Sequence, residues 1–315
     1  MLSVVQAKPF VKWAGGKTQL LKEIRKHYPC EIEKYCEPFV GGGAVLFDVL
    51  NRYAPKEVLI NDINTELINV YWQVKHNCPL LVENLSALQT LYDSMCPEER
   101  KTMFYEKRKR YNEISVSQLG EESPDNIAEY NLRECNLEKA TLFIFLNKTC
   151  FNGLYRVSAK GLFNVPYNNA KKPLLCDSEN LLKCSAVLQN VEMKAGNYKN
   201  CKTFIDAKTF VYIDPPYRPL SKTSSFTAYS SRGFDDKEHI ELKYFVDEIV
   251  SKGALILLSN SDPKNADAND EFFDSLYSNF DITRVAATRI INRNAKGRSV
   301  ISELLISNIG RLTLD

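Results

Sequence analysis

The stretch of this chain best suited to chemistry is Asp214-Pro215-Pro216-Tyr217. It follows residues 210–213, an apolar and β-prone run that is typical of a buried strand in a mostly parallel sheet. Because proline has no backbone N–H, the two prolines end the strand and leave a carboxylate and an aromatic ring at its carboxyl end, where α/β sheets bind ligands. These residues could bind a flat ring that carries an amino group. Asp214 and the Pro215 carbonyl can accept its two N–H bonds, while Tyr217 stacks on the face of the ring. A proline-terminated strand with a capping carboxylate is an equally good interpretation of these four residues alone.

Lys17 is a second candidate, near the start of the chain. Gly16-Lys17-Thr18 resembles the end of a P-loop, but Val11 stands where a P-loop needs its first glycine, and no suitable strand precedes it. A glycine turn that delivers Lys17, with Trp13 nearby as a flat surface for a ligand, is the better interpretation. The alternative is a solvated lysine and a core tryptophan.

Gly41, Gly42 and Gly43 lie between a predicted strand at 35–40 and a predicted helix at 44–50. Strand, glycine loop and helix in this order receive nucleotide-like cofactors, because glycine lets the backbone approach closely. Asp62 comes 20 residues after Gly42, where an acidic side chain binds ribose hydroxyls. Since no phosphate-binding GxGxxG is present, a nucleoside cofactor such as S-adenosyl-L-methionine fits. Asp62 is also a plausible N-cap for a helix predicted at 64–76.

A β-hairpin is predicted within residues 147–166, with its turn at Ser-Ala-Lys-Gly. Between Asn147 and Lys172 there are five Lys or Arg residues and no Asp or Glu. A basic two-stranded ribbon fits the major groove of DNA, where Arg156 would read a guanine edge and Leu154 a thymine methyl. An ordinary surface hairpin with solubilising charges is the alternative.

Composition excludes several classes of protein. The 315 residues are 44% hydrophobic and 25% charged, with a net charge of +2, which is ordinary for a globular protein and too small to indicate a polyanion partner. Nine cysteines without a CxxC pair and three dispersed histidines argue against disulfides and metal sites. The apolar runs are too short to span a membrane. A reduced, cytoplasmic protein without metal is expected.

The elements that must position these residues follow an α/β pattern. Besides those above, strands are predicted at 58–60, 191–193, 254–258, 289–291 and 300–306, and helices at 178–188 and 234–252, with a lid at 218–233. Helices predicted at 64–76, 80–92, 97–113 and 137–147 interrupt the sheet. The basic run at 100–110 is interpreted as a solvated helix face. The pattern indicates an inserted domain at about 64–180.

In combination, these stretches resemble the Dam-type (D12 class) DNA N6-adenine methyltransferases over residues 8–308. The resemblance rests on residues 10–17, 37–44, 61–64, 147–166 and 214–217, in that order. It implies a Rossmann-like S-adenosylmethionine-dependent methyltransferase fold, with a mixed, mainly parallel seven-stranded sheet. Residues 1–63 and 181–315 would form the catalytic, cofactor-binding domain, and 64–180 a helical and β-hairpin target-recognition domain.

The resemblance also assigns roles to individual residues. It implies that the catalytic residues are Asp214, Pro215, Pro216, Tyr217 and Lys17; that the cofactor contacts are Trp13, Lys17, Gly41, Gly43, Asp62 and Asp214; and that the DNA-recognition residues are Phe151, Asn152, Leu154, Arg156 and Pro166.

The implied activity is transfer of a methyl group from S-adenosyl-L-methionine to N6 of a flipped adenine in double-stranded DNA. GATC is the expected site, with GATATC or another GA-containing motif as the alternative. The enzyme would be a monomeric, nucleoid-associated methylase of a bacterium or phage, either solitary or paired with a separately acting restriction endonuclease. Two rivals are a methyltransferase for RNA or a protein glutamine amide, and a DNA-binding protein without chemistry. Asp rather than Asn at position 214 and the basic hairpin favour adenine in DNA.

Overall fold

The computed structural model describes residues 6–114, 127–218, 234–288 and 300–310. Apart from Arg218, the predicted lid at 218–233 lies outside these ranges, and so does the strand predicted at 289–291.

Within these ranges, the strands form one seven-stranded sheet in the order β3-β2-β1-β4-β5-β7-β6. β1 pairs in parallel with β2 and β4, and β4 with β5, whereas β7 is antiparallel to both β5 and β6. The predicted mixed, mainly parallel-type sheet is therefore confirmed. The strands are β1 Lys34–Glu37, β2 Glu57–Asp62, β3 Val191–Ala195, β4 Thr209–Ile213, β5 Leu255–Ser261, β6 Asp281–Thr288 and β7 Val300–Ser307.

One of these strands was missed by the sequence analysis. β6 covers Asp281–Thr288, whereas the predicted strand began at residue 289. Four of its eight residues are β-branched, but they do not alternate regularly with polar residues, and two charges and two alanines interrupt them. Its long antiparallel ladder with β7 gives it an extended conformation that local propensity does not.

Side-chain caps mark the start of two of the longer helices. Asn64 accepts a hydrogen bond from the Leu67 amide at the start of α3, and Asp235 forms a capping box with Glu238 at the start of α8. The helices are α1 Leu21–Ile24, α2 Ala44–Tyr53, α3 Thr65–His76, α4 Cys78–Ser94, α5 Pro97–Glu113, α6 Ile127–Thr149, α7 Ser178–Val187, α8 Asp236–Ser251 and α9 Phe272–Leu276. The helices predicted from 44 to 147 and at 178–188 and 234–252 are all present, with shifted ends, and α9 was not predicted.

The chain divides into two compact units. The first comprises Met1–Gly16, Val40–Arg52 and Asn61–Asn197, and it contains the glycine loop, the helices α2–α7 and the hairpin. The second comprises Lys17–Phe39, Tyr53–Ile60 and Tyr198–Asp315, with β1, β4, β5 and β7. The domain boundaries predicted at 64 and 180 remain a prediction.

The core of the second unit positions β4. All five residues of β4 are buried, as predicted for a central strand. Val211 and Ile213 pack in one cluster with Ile256 of β5 and with Leu242 and Phe245 of α8. Because both neighbours of β4 run parallel to it, the residue that follows Ile213 emerges at the carboxyl edge of the sheet.

Candidate active site

Asp214 follows the last residue of β4 and is held by two side chains of the second unit. The Lys17 ammonium donates to both carboxylate oxygens at 2.7 Å, and the Ser259 hydroxyl donates to one of them at 3.0 Å. The Lys17 side chain is 3% exposed and that of Asp214 20% exposed. Lys17 is therefore a buried partner of Asp214 rather than a solvated lysine, and two side chains fix the position of the partly exposed carboxylate.

Tyr217 closes the same group of side chains. Lys17 Nζ donates to the Tyr217 hydroxyl oxygen at 2.9 Å, and that hydroxyl donates to the Glu303 carboxylate of β7 at 2.9 Å. The Lys17 ammonium also lies 4.8 Å from the centre of the Tyr217 ring. Because its polar end is fixed at two points, the partly exposed ring has a defined orientation.

The protonation states of Lys17, Asp214 and Glu303 depend on burial and on the charge of Lys17. Desolvation pulls the pKa of Lys17 down, but the Asp214 carboxylate and its neighbours raise it further, so the net pKa is above the ordinary lysine value. Burial raises the pKa of Asp214, against the opposing effect of Lys17 and Ser259. Burial likewise raises the pKa of Glu303, again opposed by Lys17. Lys17 therefore stays protonated at neutral pH; it binds the Asp214 carboxylate directly, and its charge also acts on Glu303.

Asp62, in the first unit, lies at the end of β2 and organises the glycine loop. One carboxylate oxygen accepts from the Gly41 amide at 3.0 Å and the other from the Asn64 amide at 2.9 Å. The alternative interpretation of Asp62 as the N-cap of α3 is wrong, because Asn64 is the cap. Burial raises the pKa of Asp62, and the backbone amide bonds partly offset this.

The glycine loop has a packing requirement of its own. Gly41 and Gly43 have φ of 48° and 71°, in the left-handed region that favours glycine. A Cβ on Gly41 would lie 2.7 Å from Cδ1 of Trp13, and a Cβ on Gly43 would lie 2.5 Å from the Tyr71 hydroxyl. The indole of Trp13 thus lies directly against the loop. The sequence pattern explained the glycines only by the close approach of a cofactor and did not predict this contact.

Trp13 also contacts the hairpin. Its ring stacks on Tyr155, with centroids 5.9 Å apart and 24° between planes, and Tyr155 stacks on Phe143 of α6 at 5.4 Å and 20°. Trp13 is partly buried in this aromatic group. A core tryptophan was one of the alternatives, but its contacts with Tyr155 and Phe143 were not predicted.

The predicted hairpin is present in the first unit. Antiparallel bridges join Cys150 to Tyr167 and Val157 to Phe163. The turn is closed by the Gly161 amide, which donates to the Ser158 carbonyl at 2.9 Å, at the predicted Ser-Ala-Lys-Gly.

The five residues predicted to read DNA all lie on this hairpin. Phe151, Asn152, Arg156 and Pro166 are exposed, whereas Leu154 is half-buried. The Phe151 amide donates to the Pro166 carbonyl at 2.9 Å, which brings these two together. Arg156 Nε donates to Asn164 Oδ1 at 2.7 Å, so the guanidinium is anchored along one edge.

Two asparagines that the sequence analysis did not single out support the hairpin. Asn112 of α5 exchanges two hydrogen bonds with the backbone of Phe163, at 3.1 and 2.8 Å. Asn147 bonds both backbone groups of Lys12 at 2.8 Å and the Gly153 carbonyl at 2.9 Å. An amide side chain has both donors and acceptors, so each asparagine pairs with the backbone as a neighbouring strand would.

The sequence profile of the D12 class N6 adenine-specific DNA methyltransferases matches residues 13–291 of this chain. The chain belongs to this family. It is therefore a DNA adenine methyltransferase with an α/β methyltransferase sheet.

Three relatives illustrate the similarity of this methyltransferase to named proteins. The type II methyltransferase M.MjaIII of Methanocaldococcus jannaschii is 43% identical, over 96% of this chain and 100% of the relative. The type II methyltransferase M1.LlaDCHI of Lactococcus lactis subsp. cremoris is 33% identical over 97% of both chains. The DNA adenine methylase of Escherichia coli is 31% identical over 94% of this chain and 93% of the relative.

Two side chains of this methyltransferase's site were missed as site residues. Ser259 stands in the polar end, Ser-Asn-Ser, of the otherwise apolar β5, which is a usable signal. Glu303 is the one charged residue in the sequence of β7, and it lies beside residues 304–306, which are all fully buried. A lone carboxylate in an apolar strand indicates a buried partner, although only the tertiary structure identifies it as Tyr217.

The described part of the chain has neither a group of metal ligands nor a helix suited to a membrane. Across the described ranges, no three Cys, His, Asp or Glu side chains are grouped as a metal ion would require. Among the helices described, none combines the length and the apolar character needed to cross a bilayer.

Proposed function

We propose that this D12 methyltransferase transfers the methyl group of S-adenosyl-L-methionine to N6 of an adenine flipped out of duplex DNA. The observation that carries the proposal is the carboxylate of Asp214, held by Lys17 and Ser259 at the carboxyl end of β4 beside an anchored Tyr217. The expected target is GATC, with GATATC or another GA-containing motif as the alternative.

The residues of the glycine loop fit the proposed cofactor. The Asp62 carboxylate has about four lone pairs and accepts from the backbone amides of Gly41, Asn64 and Ile63, so acceptor capacity is left for a ribose hydroxyl. Ile63 is 64% exposed directly beside it and offers apolar surface to a base. When bound, S-adenosyl-L-methionine supplies an electrophilic methyl group. The proposal assigns Trp13, Gly41, Gly43 and Asp62, with Lys17 and Asp214, to its binding.

Tyr217 and Asp214 would hold the target adenine. Extracting a base from the duplex costs a few kcal/mol, and stacking on an aromatic side chain contributes about 1–3 kcal/mol per base. The adenine amine would donate one N–H to Asp214 and the other to the Pro215 carbonyl, while Pro216 maintains the turn. Lys17 does not prevent this: Asp214 Oδ1 accepts from both Lys17 and Ser259, but Oδ2 accepts from Lys17 and has a second lone pair for the amine.

These hydrogen bonds would also activate the amine. The N6 lone pair is delocalised into the ring, and two acceptors draw the nitrogen towards tetrahedral geometry and localise that lone pair. Positioning of the amine in line with the methyl group is the main contribution, and the carboxylate stabilises the positive charge that develops on N6. The surplus proton leaves readily once the methylated nitrogen carries a positive charge, so Asp214 need not be a strong base.

The hairpin would supply sequence recognition. Arg156 uses one edge of its guanidinium for Asn164, and the five N–H donors of an arginine leave others for O6 and N7 of the first guanine. Leu154 would contact a thymine methyl. Further contacts with the DNA would come from Phe151, Asn152 and Pro166. We assign residues 64–180 to this target-recognition domain.

The cellular role is inferred from the relatives. Two of them are named type II methyltransferases, which supports a modification enzyme that acts beside a separate restriction endonuclease, with a solitary methylase as the alternative. A monomer that works on cytoplasmic, nucleoid DNA completes the proposal.

The test of the proposed function is transfer of tritiated methyl groups from S-adenosyl-L-methionine to duplex DNA, RNA and protein. We expect label on DNA only, none with Asp214→Ala despite retained DNA binding, and wild-type transfer with the control Asp93→Ala, an exposed aspartate of α4. Full activity of Asp214→Ala, or label on RNA or protein instead of DNA, would contradict the proposal. A folded, DNA-bound protein without any transfer would favour the non-catalytic rival.

A further inference from the structure

Glu303 reaches the candidate active site from a strand that carries no other charge. It is 9% exposed, and its carboxylate accepts the hydroxyl proton of Tyr217 at 2.9 Å. The antiparallel register places Glu303 opposite Ser261, two residues beyond Ser259, which donates to Asp214. The β5–β7 ladder thus carries side chains that bind both ends of the Asp214–Tyr217 stretch.

The direction of the hydrogen bonds around Tyr217 is fixed by chemistry. A lysine ammonium has donors and no acceptor, so in the 2.9 Å contact the Tyr217 oxygen must accept from Lys17. The single proton of the Tyr217 hydroxyl is then left for Glu303. The ring cannot rotate away without breaking one bond to a buried cation or one to a buried carboxyl group, and burial makes unpaired groups of this kind costly.

We propose that Glu303 is a positioning residue for methyl transfer, because it holds the Tyr217 ring in the orientation that stacks on the target adenine. This inference rests on the proposed function. Methyl transfer depends on accurate placement of the amine, and a misplacement of about 1 Å can cost about 100-fold in rate. Loss of the acceptor at position 303 therefore lowers kcat about 10- to 100-fold and changes KM for the cofactor little.

The experiment compares Glu303→Gln with Glu303→Ala, each in the wild-type and the Tyr217→Phe background. Single-turnover methylation of a duplex with one target adenine gives the rate, and KM for S-adenosyl-L-methionine is measured beside it. Glutamine keeps an acceptor for the tyrosine hydroxyl and loses the charge, whereas alanine loses both. Glu248→Gln, on the surface of α8, is the control, and thermal melting establishes that each variant is folded.

We expect Glu303→Gln to stay within about threefold of the wild-type rate and Glu303→Ala to lose at least tenfold. In the Tyr217→Phe background, which already lacks the hydroxyl, Glu303→Ala should cost less than threefold further, because the two residues act as one unit. Equal losses in both backgrounds, a glutamine variant as slow as the alanine variant, or a fully active alanine variant would each overturn the inference. Should the alanine variant not fold, Glu303→Gln still tests the inference, because a loss of more than about threefold in that variant would overturn it. Absence of transfer by the wild-type protein would instead overturn the proposed function.

Discussion

Replacement of Lys17 by methionine tests the electrostatics of the site most severely. The substitution keeps the length of the side chain and removes the cation that lowers the pKa of both Asp214 and Glu303. Loss of one partner from a buried ion pair costs about 3–5 kcal/mol of unfolding free energy. Because the Asp214 side chain is 20% exposed, water compensates in part, and we expect a loss near the lower limit, about 3 kcal/mol at pH 8.

The size of this loss should depend on pH. Lys17 lowers the pKa of both Asp214 and Glu303, so its removal raises each pKa further above the value in the unfolded chain. A carboxyl group with a raised folded-state pKa binds more protons in the folded state, so stability falls as the pH rises through the window between the two pKa values. The deficit of Lys17→Met should therefore be largest at pH 8 and smaller at pH 5, where protonation of the carboxyl groups relieves it.

The assay is urea unfolding of Lys17→Met, Asp214→Asn and the double variant at both pH values. The control is Lys56→Met, since Lys56 is 80% exposed and its pair with Glu33 spans 3.5 Å. Such surface pairs contribute about 0–1 kcal/mol. We expect Asp214→Asn to recover part of the loss in the double variant. A loss of stability in Lys17→Met no larger than that in Lys56→Met, or a loss that grows towards pH 5, would contradict this prediction.

Three further predictions concern the first unit. Gly153→Ala should destabilise the protein by about 2 kcal/mol more than Gly161→Ala. Both glycines have a left-handed φ, 65° and 75°, so the backbone strain is similar. A Cβ at position 153 would lie 2.6 Å from the Lys12 side chain, whereas one at position 161 would meet no atom within 4 Å. Thermal melts of both variants check this, and equal losses would contradict it. Asp62→Ala should weaken binding of S-adenosyl-L-methionine at least tenfold in calorimetry, since it removes the acceptor that orders the loop, and unchanged affinity would exclude its role. Arg156→Ala should relax the choice of the first base by about 1–3 kcal/mol in competition between duplexes, and retained preference would contradict the hairpin assignment.

The sequence allowed prediction of the parts of the site that rest on local chemistry. Two consecutive prolines after a buried strand predict a strand end with Asp214 at its edge, and the structure has β4 end at Ile213. The hairpin turn was found at Ser158–Gly161 for the same reason, because turn residues act over a few positions.

The remaining parts depend on contacts distant in sequence. Glu303 and Tyr217 are 86 residues apart, and Asn112 and Phe163 are 51 apart, so no local pattern pairs them. The glycine triplet was recognised, but the packing of Trp13 against it depends on segments that meet only in the folded unit. β6 was missed because its β-branched residues do not alternate along the strand, and the ladder with β7 supplies the pairing that no local pattern shows.

Single-molecule sequencing of plasmid DNA treated with the protein and S-adenosyl-L-methionine is the most direct test of adenine methylation by this protein. We expect N6-methyladenine at every copy of one short motif that contains GA, and no methylation by the Asp214→Ala variant. Unmodified DNA after treatment with folded, cofactor-bound protein would contradict it.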